Sequence, residues 1–415
     1  MYYLIYIFAF FAVVGFFNYH QMLSDQVVKA IFYAVSLVAL VLAVTDSRSK
    51  IARTGYPAEA YWTLMGMICL SPVMAGIFHG QDLVSSVITT LPMFFAYSWF
   101  YILLKFELPE RKILLVMAVG CALAIPVYLM NFRAFPGAAF GELPNGGSRG
   151  IPRIVVTFIE LFPLLLFYAI NKWSLSRKWW WILVMAVCVV MIVVSVIRQV
   201  IFVSALLAGI FLFRVMNWKQ RLIFLLPIAV AIAIIAPRLS IFQAIDDLNE
   251  LQADSNSESS EDIRIQAWRF YTYEYNPNIG TMILGNGIPA LDKTRYGIEY
   301  STATAASKCY EGDVGWAGFF FYFGLIATVA LFMLMWKTLT HHKPPEREYL
   351  NYWILFIMIT AVASGPILYT FQIFNVVTAL YLAYAPAAES GLPRFAGAPR
   401  RNNTLAENPQ SPFPA

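Results

Sequence analysis

The 415-residue chain is short of charge: only 13% of its residues are Asp, Glu, Lys or Arg, while 60% are hydrophobic. A soluble domain carries about 25% charged residues. Too little polar surface remains to cover a water-soluble body of this size, which excludes a soluble enzyme and points to a protein integral to a membrane. Cysteine is scarce as well. Cys69, Cys121 and Cys188 lie in apolar runs and only Cys309 falls in a polar stretch, so no disulfide framework is expected there. Histidine is limited to His20, His79, His341 and His342. No zinc-ligand spacing, P-loop, dinucleotide-binding glycine pattern or hydrolase elbow is present. Neither a metal nor another cofactor is therefore expected. The first apolar run, 2–17, has no basic residues before it and no small-residue cleavage site, and reads as a retained span rather than a signal peptide. The apolar runs are unbroken rather than alternating, which argues for helices and against an outer-membrane barrel.

Unbroken apolar runs are what the chain does have. A bilayer core takes about 20 apolar residues per helix, with shorter ones tolerated. On this basis the fold class is all-α: a polytopic transmembrane helix bundle of about twelve spans, with one large periplasmic loop containing short helices. The expected spans are 2–17, 28–44, 60–78, 83–104, 113–132, 154–170, 179–197, 199–216, 222–236, 316–336, 350–364 and 369–385. The domain organisation is a bundle over 1–236, a large loop over 237–315, further spans over 316–385 and a disordered cytoplasmic tail over 386–415. Ser364-Gly365-Pro366 interrupts the last apolar stretch, which forms either a hairpin of two spans or one kinked span.

Lys and Arg in the short connections set the orientation. Arg48, Lys50 and Arg53, then Lys105, Arg111 and Lys112, then Lys172, Arg177 and Lys178 fall on one side. Lys219 and Arg221, Lys337, Lys343 and Arg347, and Arg394, Arg400 and Arg401 fall on the same side. That side is the cytoplasm, both termini are cytoplasmic, and the 237–315 loop faces outward. The net charge of +5 is spent at span ends and gives no nucleic-acid signal.

Arginines on the outward side oppose this rule. They are Arg133, Arg149, Arg153, Arg198, Arg238, Arg264, Arg269 and Arg295. Arg198 lies between two apolar runs with Gln199 beside it, at or just below the membrane surface, where a charge is costly and usually faces a polar cavity or a partner. The competing account is snorkelling to lipid headgroups. Residues 263–275 read as a short interfacial amphipathic helix that places Ile263, Ala267, Phe270, Tyr271 and Glu274 near one another. It carries Arg264, Trp268 and Arg269. Paired guanidinium donors fit phosphate oxygens and would form a diphosphate clamp, and aromatics such as Trp268 and Tyr271 could stack on sugars. An aromatic belt is the plainer account. The acidic stretch 252–262 lacks the glycine of a calcium loop and reads as a mobile solvated tip. Glu311 and Asp313, before the span at 316, suit either a catalytic base or a helix cap.

Taken together, these residues resemble the O-antigen polymerase and O-antigen ligase superfamily of bacterial inner-membrane glycosyltransferases. The resemblance rests on a span ending at Ser195 to Arg198, then Arg264-x-x-x-Trp268, Pro277 and Leu284-Gly-Asn-Gly287. It continues through Asp313-Val-Gly-Trp-Ala-Gly318 and Phe323-Gly-Leu325, and covers mainly 180–340. Ligases of the family carry a His in the large loop; none lies between Arg238 and Gly315, which favours a polymerase. The resemblance implies donor and acceptor glycans on undecaprenyl diphosphate in the lipid bilayer. A chain-length regulator and a flippase would be further partners, and nucleic acid would not. It implies Arg198, Arg264, Arg269, Asp313 and Glu311 as catalytic residues. Arg149, Arg153, Gln199, Trp268 and Tyr271 would bind substrate. A ligase, a lipid-linked sugar flippase and a membrane scaffold are the alternatives. A flippase would be marked by internal repeats, and none is visible.

Overall fold

The computed structural model describes residues 1–16, 23–46, 55–134, 139, 158–195, 197–217, 221, 262–291 and 293–385. Several expectations fall outside the described residues: the span 222–236, the stretch 252–261, the tail 386–415, and Arg48, Lys50, Arg53, Arg149, Arg153, Lys219, Arg238 and His20.

Every regular element among the described residues is helical. In chain order they are α1 (Tyr2–Val13), α2 (Asp25–Thr45), α3 (Ala58–His79), α4 (Leu83–Phe106) and α5 (Glu110–Ala134). Next come α6 (Phe162–Ser176), α7 (Trp180–Val194), α8 (Arg198–Val215), α9 (Ile263–Arg269), α10 (Ile279–Leu284) and α11 (Arg295–Ser307). The chain closes with α12 (Gly315–Thr340), α13 (Tyr349–Thr360) and α14 (Thr370–Tyr384). Among the described residues six helices, α2 from Gln26, α3, α4, α5, α8 and α12, are long and apolar enough to cross a membrane. The apolar α1, α7 and α14 are shorter.

The apolar runs form helices close to where hydropathy places them, with one informative shift. The span expected at 154–170 is helical over Phe162–Ser176. Phe158 adopts a left-handed φ of 72°, a 3-10 turn follows at Ile159–Leu161, and Pro163 opens the helix. That turn carries Glu160, a carboxylate in the middle of an apolar stretch.

α14 is the axis of the bundle. Every residue from Gln372 to Tyr384 is buried, which is the mark of a helix enclosed by others. It packs against α4, α13, α1 and α12. The stretch 350–385 forms two helices joined by a turn at 361–369. They run antiparallel, because Arg347 Nη1 donates to the Ala385 carbonyl and so joins the start of α13 to the end of α14. The same end holds a buried ion pair, Arg347 Nε to Glu110 Oε2 at 2.6 Å, with Tyr349 OH donating to Glu110 Oε1 at 2.9 Å.

α12 is broken at Gly324, where φ is 76° and ψ is −179°. A break inside a long apolar helix exposes carbonyls that something must satisfy. Asn286 N donates to Phe321 O at 2.9 Å and Gly287 N to Tyr322 O at 3.0 Å. Residues 285–290, which fall within the loop expected to face outward, are buried between α12 and α3.

Candidate functional site

The segment 262–315 returns to the bundle through the turn between α13 and α14. Asp262 caps α9 by accepting from Arg264 N at 2.8 Å. One turn later Trp268 Nε1 donates to Val362 O at 2.9 Å. From α8, Gln199 Nε2 donates to Thr360 O and to Ser364 Oγ, the latter at 2.9 Å. The first amides of α12 use the same turn: Gly315 N donates to Ser364 O and Trp316 N to Ala361 O, each at 2.9 Å. A Cβ on Gly315 would lie 2.2 Å from Ser364 O, so only glycine permits this approach. Thus α12 is started by turn carbonyls, and the residue at its cap position, Val314, offers no side-chain bond. The cap position itself is held by Val314, not by Glu311 or Asp313.

Chain 270–274 continues α9 as a π-turn, closed by Tyr275 N to Phe270 O at 2.9 Å. The wider turn rotates the later side chains away from the face that α9 buries. Ala267, Phe270 and Tyr271 are buried as the helical spacing predicts, but Glu274 is not on their face. It is exposed and pairs with Arg269, Nε to Oε1 at 2.6 Å.

Glu311 sits in a 3-10 turn, Glu311–Asp313, at the centre of a tyrosine cluster. Tyr300 OH donates to Glu311 Oε2 at 2.8 Å, and Tyr271 OH lies 3.4 Å from the same oxygen. The two hydroxyls are 3.1 Å apart, and Tyr271 OH also reaches Cys309 O at 2.9 Å. Tyr322 OH, from α12, is 3.5 Å from Tyr300 OH. Burial pushes the Tyr300 phenol well above its ordinary value and raises Tyr271 too, with the Glu311 charge adding to the Tyr271 rise. Both hydroxyls therefore stay protonated and remain donors. Asp313, by contrast, is exposed. Of the expected site residues, the structure brings Tyr271 and Glu311 into contact, and docks Gln199 and Trp268 on one turn.

The α3–α4 connection clamps the buried 285–296 segment. Gln81 Nε2 donates to Ile288 O at 3.0 Å, and Gln81 Oε1 accepts from Ala290 N at 2.9 Å and from Thr294 Oγ1 at 3.0 Å. His79 stacks on Tyr296 with ring centres 3.9 Å apart and bonds Asn286 Oδ1 at 2.9 Å. His79 and Gln81 gave no signal in the sequence, since one His and one Gln in a short connection are commonplace without knowledge of what packs over them.

Arg198 opens α8 immediately before Gln199, and Arg264 lies one turn before Trp268. Both helix starts are thereby fixed beside the 360–364 turn. The Arg264 Nε is buried and has no hydrogen-bond partner among the described residues. Beneath the turn lies a cavity lined by Glu160, Gln372, Asn375, Thr360 and Ser364 among apolar neighbours. Glu160, Gln372 and Asn375 were missed because each stands alone in an apolar run.

Compared with known proteins, the chain matches no family model and no curated protein. The site's chemistry therefore rests on its own residues.

Proposed function

We propose that the chain is a membrane glycosyltransferase that polymerises undecaprenyl-diphosphate-linked oligosaccharide repeat units of O-antigen or exopolysaccharide type. In this reading it lies in the bacterial inner membrane with both termini cytoplasmic, the 237–315 loop periplasmic and its spans numbering about twelve. The observation that carries the proposal is the buried Arg264 Nε without an acceptor. A buried donor left unpaired costs about 1–3 kcal/mol, which a diphosphate oxygen would relieve. Its helix is pinned by Trp268 to the turn that also holds Gln199, the neighbour of Arg198.

The acceptor sugar hydroxyl attacks C1 of the donor sugar. The new C1–O bond forms as the bond to the diphosphate breaks, and the electron pair leaves with the diphosphate. Arg198, Arg264 and Arg269 stabilise that growing charge. The hydroxyl proton passes to a carboxylate, Glu311 or Asp313. Of the two, Glu311 is the better held, between the Tyr271 and Tyr300 hydroxyls. Gln199 and Trp268 spend their donors on the turn and so act as positioning residues. Arg149 and Arg153 guide the acceptor chain, and a chain-length regulator and a flippase complete the assembly.

The break at Gly324 favours a second reading, since transporters build sites on discontinuous helices. Its freed carbonyls, however, are taken by Asn286 and Gly287 of the chain itself.

The deciding experiment is turnover of purified protein with lipid-linked repeat units, for wild type and Arg264→Ala, with and without a lipid A-core acceptor. A ladder of longer lipid-linked glycans, lost in the variant, is expected. Transfer only to the lipid A-core would make the protein a ligase. No new glycosidic bond with authentic substrate would overturn both and favour the transporter.

A further inference from the structure

The cavity between the turn before α6, the end of α13 and the start of α14 has acceptors to spare and few donors. It measures about 40 Å³, more than the roughly 10–15 Å³ that one water requires. Glu160 lies on its wall and accepts a hydrogen bond from Gln372 Nε2. No Lys, Arg or His among the described residues forms an ion pair with Glu160. With Glu160 ionised, the Gln372 amide must turn Nε2 towards it, because the reverse flip would set its carbonyl against the carboxylate. Gln372 Oε1 is then left buried without a partner among the described residues, and so is Asn375 Oδ1. Both residues are more than nine-tenths buried, at 9% and 8% exposure.

The hydroxyls around the cavity do not supply the missing donors. Thr360 Oγ1 donates to Phe356 O at 2.7 Å, and Ser364 Oγ donates to Thr360 O at 2.8 Å while accepting from Gln199. Their protons are spent on backbone, and only lone pairs remain to face inward. The rest of the lining is apolar, including Val200, Trp353 and Phe356. A buried carboxyl without a countercharge is costly as an anion unless a cation joins it, and the two amide oxygens offer such a cation further ligands. A single carboxylate matches a single positive charge. Oxygen-only surroundings match a hard cation.

We propose that this cavity binds one alkali-metal cation, held by the Glu160 carboxylate and the amide oxygens of Gln372 and Asn375. Occupancy ties the turn before α6 to the first turns of α14, and so steadies the 360–366 turn on which Gln199, Trp268 and Gly315 converge. The site stands apart from the transferase reading, because it requires no glycan.

The test uses the purified full chain in detergent and reads stability and binding rather than turnover. The unfolding midpoint is followed as NaCl or KCl replaces choline chloride at constant ionic strength. A saturable rise on the order of 2–5 °C is expected with the alkali salt and none with choline. Radioactive Na⁺ should bind the wild-type chain at one equivalent, displaced by unlabelled Na⁺ and not by choline. Glu160→Gln should abolish both effects. Equal midpoints in all three salts, together with no saturable Na⁺ binding to the wild type, would overturn the proposal and assign the cavity to water. Binding that persists in a folded Glu160→Gln variant would equally overturn it. The wild-type measurements decide the matter even if that variant does not fold.

Discussion

Gly285 and Gly324 meet backbone to backbone: a Cβ added to Gly324 would lie 2.4 Å from Gly285 N, and one added to Gly285 would lie 2.4 Å from Tyr322 O. Both hold a positive φ, 88° at Gly285 and 76° at Gly324. The approach lets Asn286 and Gly287 satisfy the carbonyls freed where α12 breaks. The Leu284-Gly-Asn-Gly287 and Phe323-Gly-Leu325 motifs, distant in the chain, are two halves of one joint.

Gly324→Ala should therefore combine backbone strain with overpacking, at about 1–3 kcal/mol for each. The expected result is a lower unfolding midpoint in detergent and faster proteolysis within 285–290. Gly66→Ala, where an added Cβ meets nothing within 4 Å, should leave the midpoint close to wild type.

Arg347 and Glu110 form a buried pair that also anchors Ala385 and Tyr349. Removing one partner of such a pair leaves the other charge uncompensated, at about 3–5 kcal/mol. Arg347→Ala should thus destabilise the α13–α14 hairpin by that order in chemical or thermal unfolding. Removing an exposed pair such as Arg295 with Glu299, 2.6 Å apart, should leave the midpoint close to wild type by the same measurement.

Trp268→Phe keeps an aromatic ring and removes the donor to Val362 O; Gln199→Leu removes the donor to the same turn. Each should lower the kcat/KM of the proposed glycan extension by up to about tenfold, the worth of one net hydrogen bond. Because both act through one turn, the double variant should lose less than the product of the single losses. A purely additive result would show that the turn does not couple α8 to α9.

Alkaline pH probes the tyrosine cluster. Burial raises the Tyr271 and Tyr300 phenols above the ordinary 10.0 in the folded state. Above pH 10 the unfolded chain releases these protons and the folded chain retains them, so stability falls as pH rises. Below that value both states hold them and the contribution is constant. Midpoints measured from about pH 7 to about pH 11 should show that decline, and Tyr300→Phe should make it shallower.

The sequence by itself determined the helical class, the membrane setting and most helix positions, because an apolar run long enough to cross a bilayer has few other ways to satisfy its backbone. It also marked Gln199 and Glu311 as polar residues beside span ends, and Trp268 and Tyr271 as aromatics on an interfacial helix. It could not say which apolar helix is central: α14, uniformly apolar apart from a few polar side chains, is the buried axis, while α7 buries only Cys188, Met191 and Ile192. Hydropathy scores a helix wrapped in protein and one wrapped in lipid alike. Tertiary structure alone decided that the 361–369 turn is a hub, that 285–290 is buried, and that Glu160, Gln372 and Asn375 share a cavity. Glu160 lies 212 residues from its hydrogen-bond partner Gln372, and a pairing made only by helix packing leaves no local pattern to read.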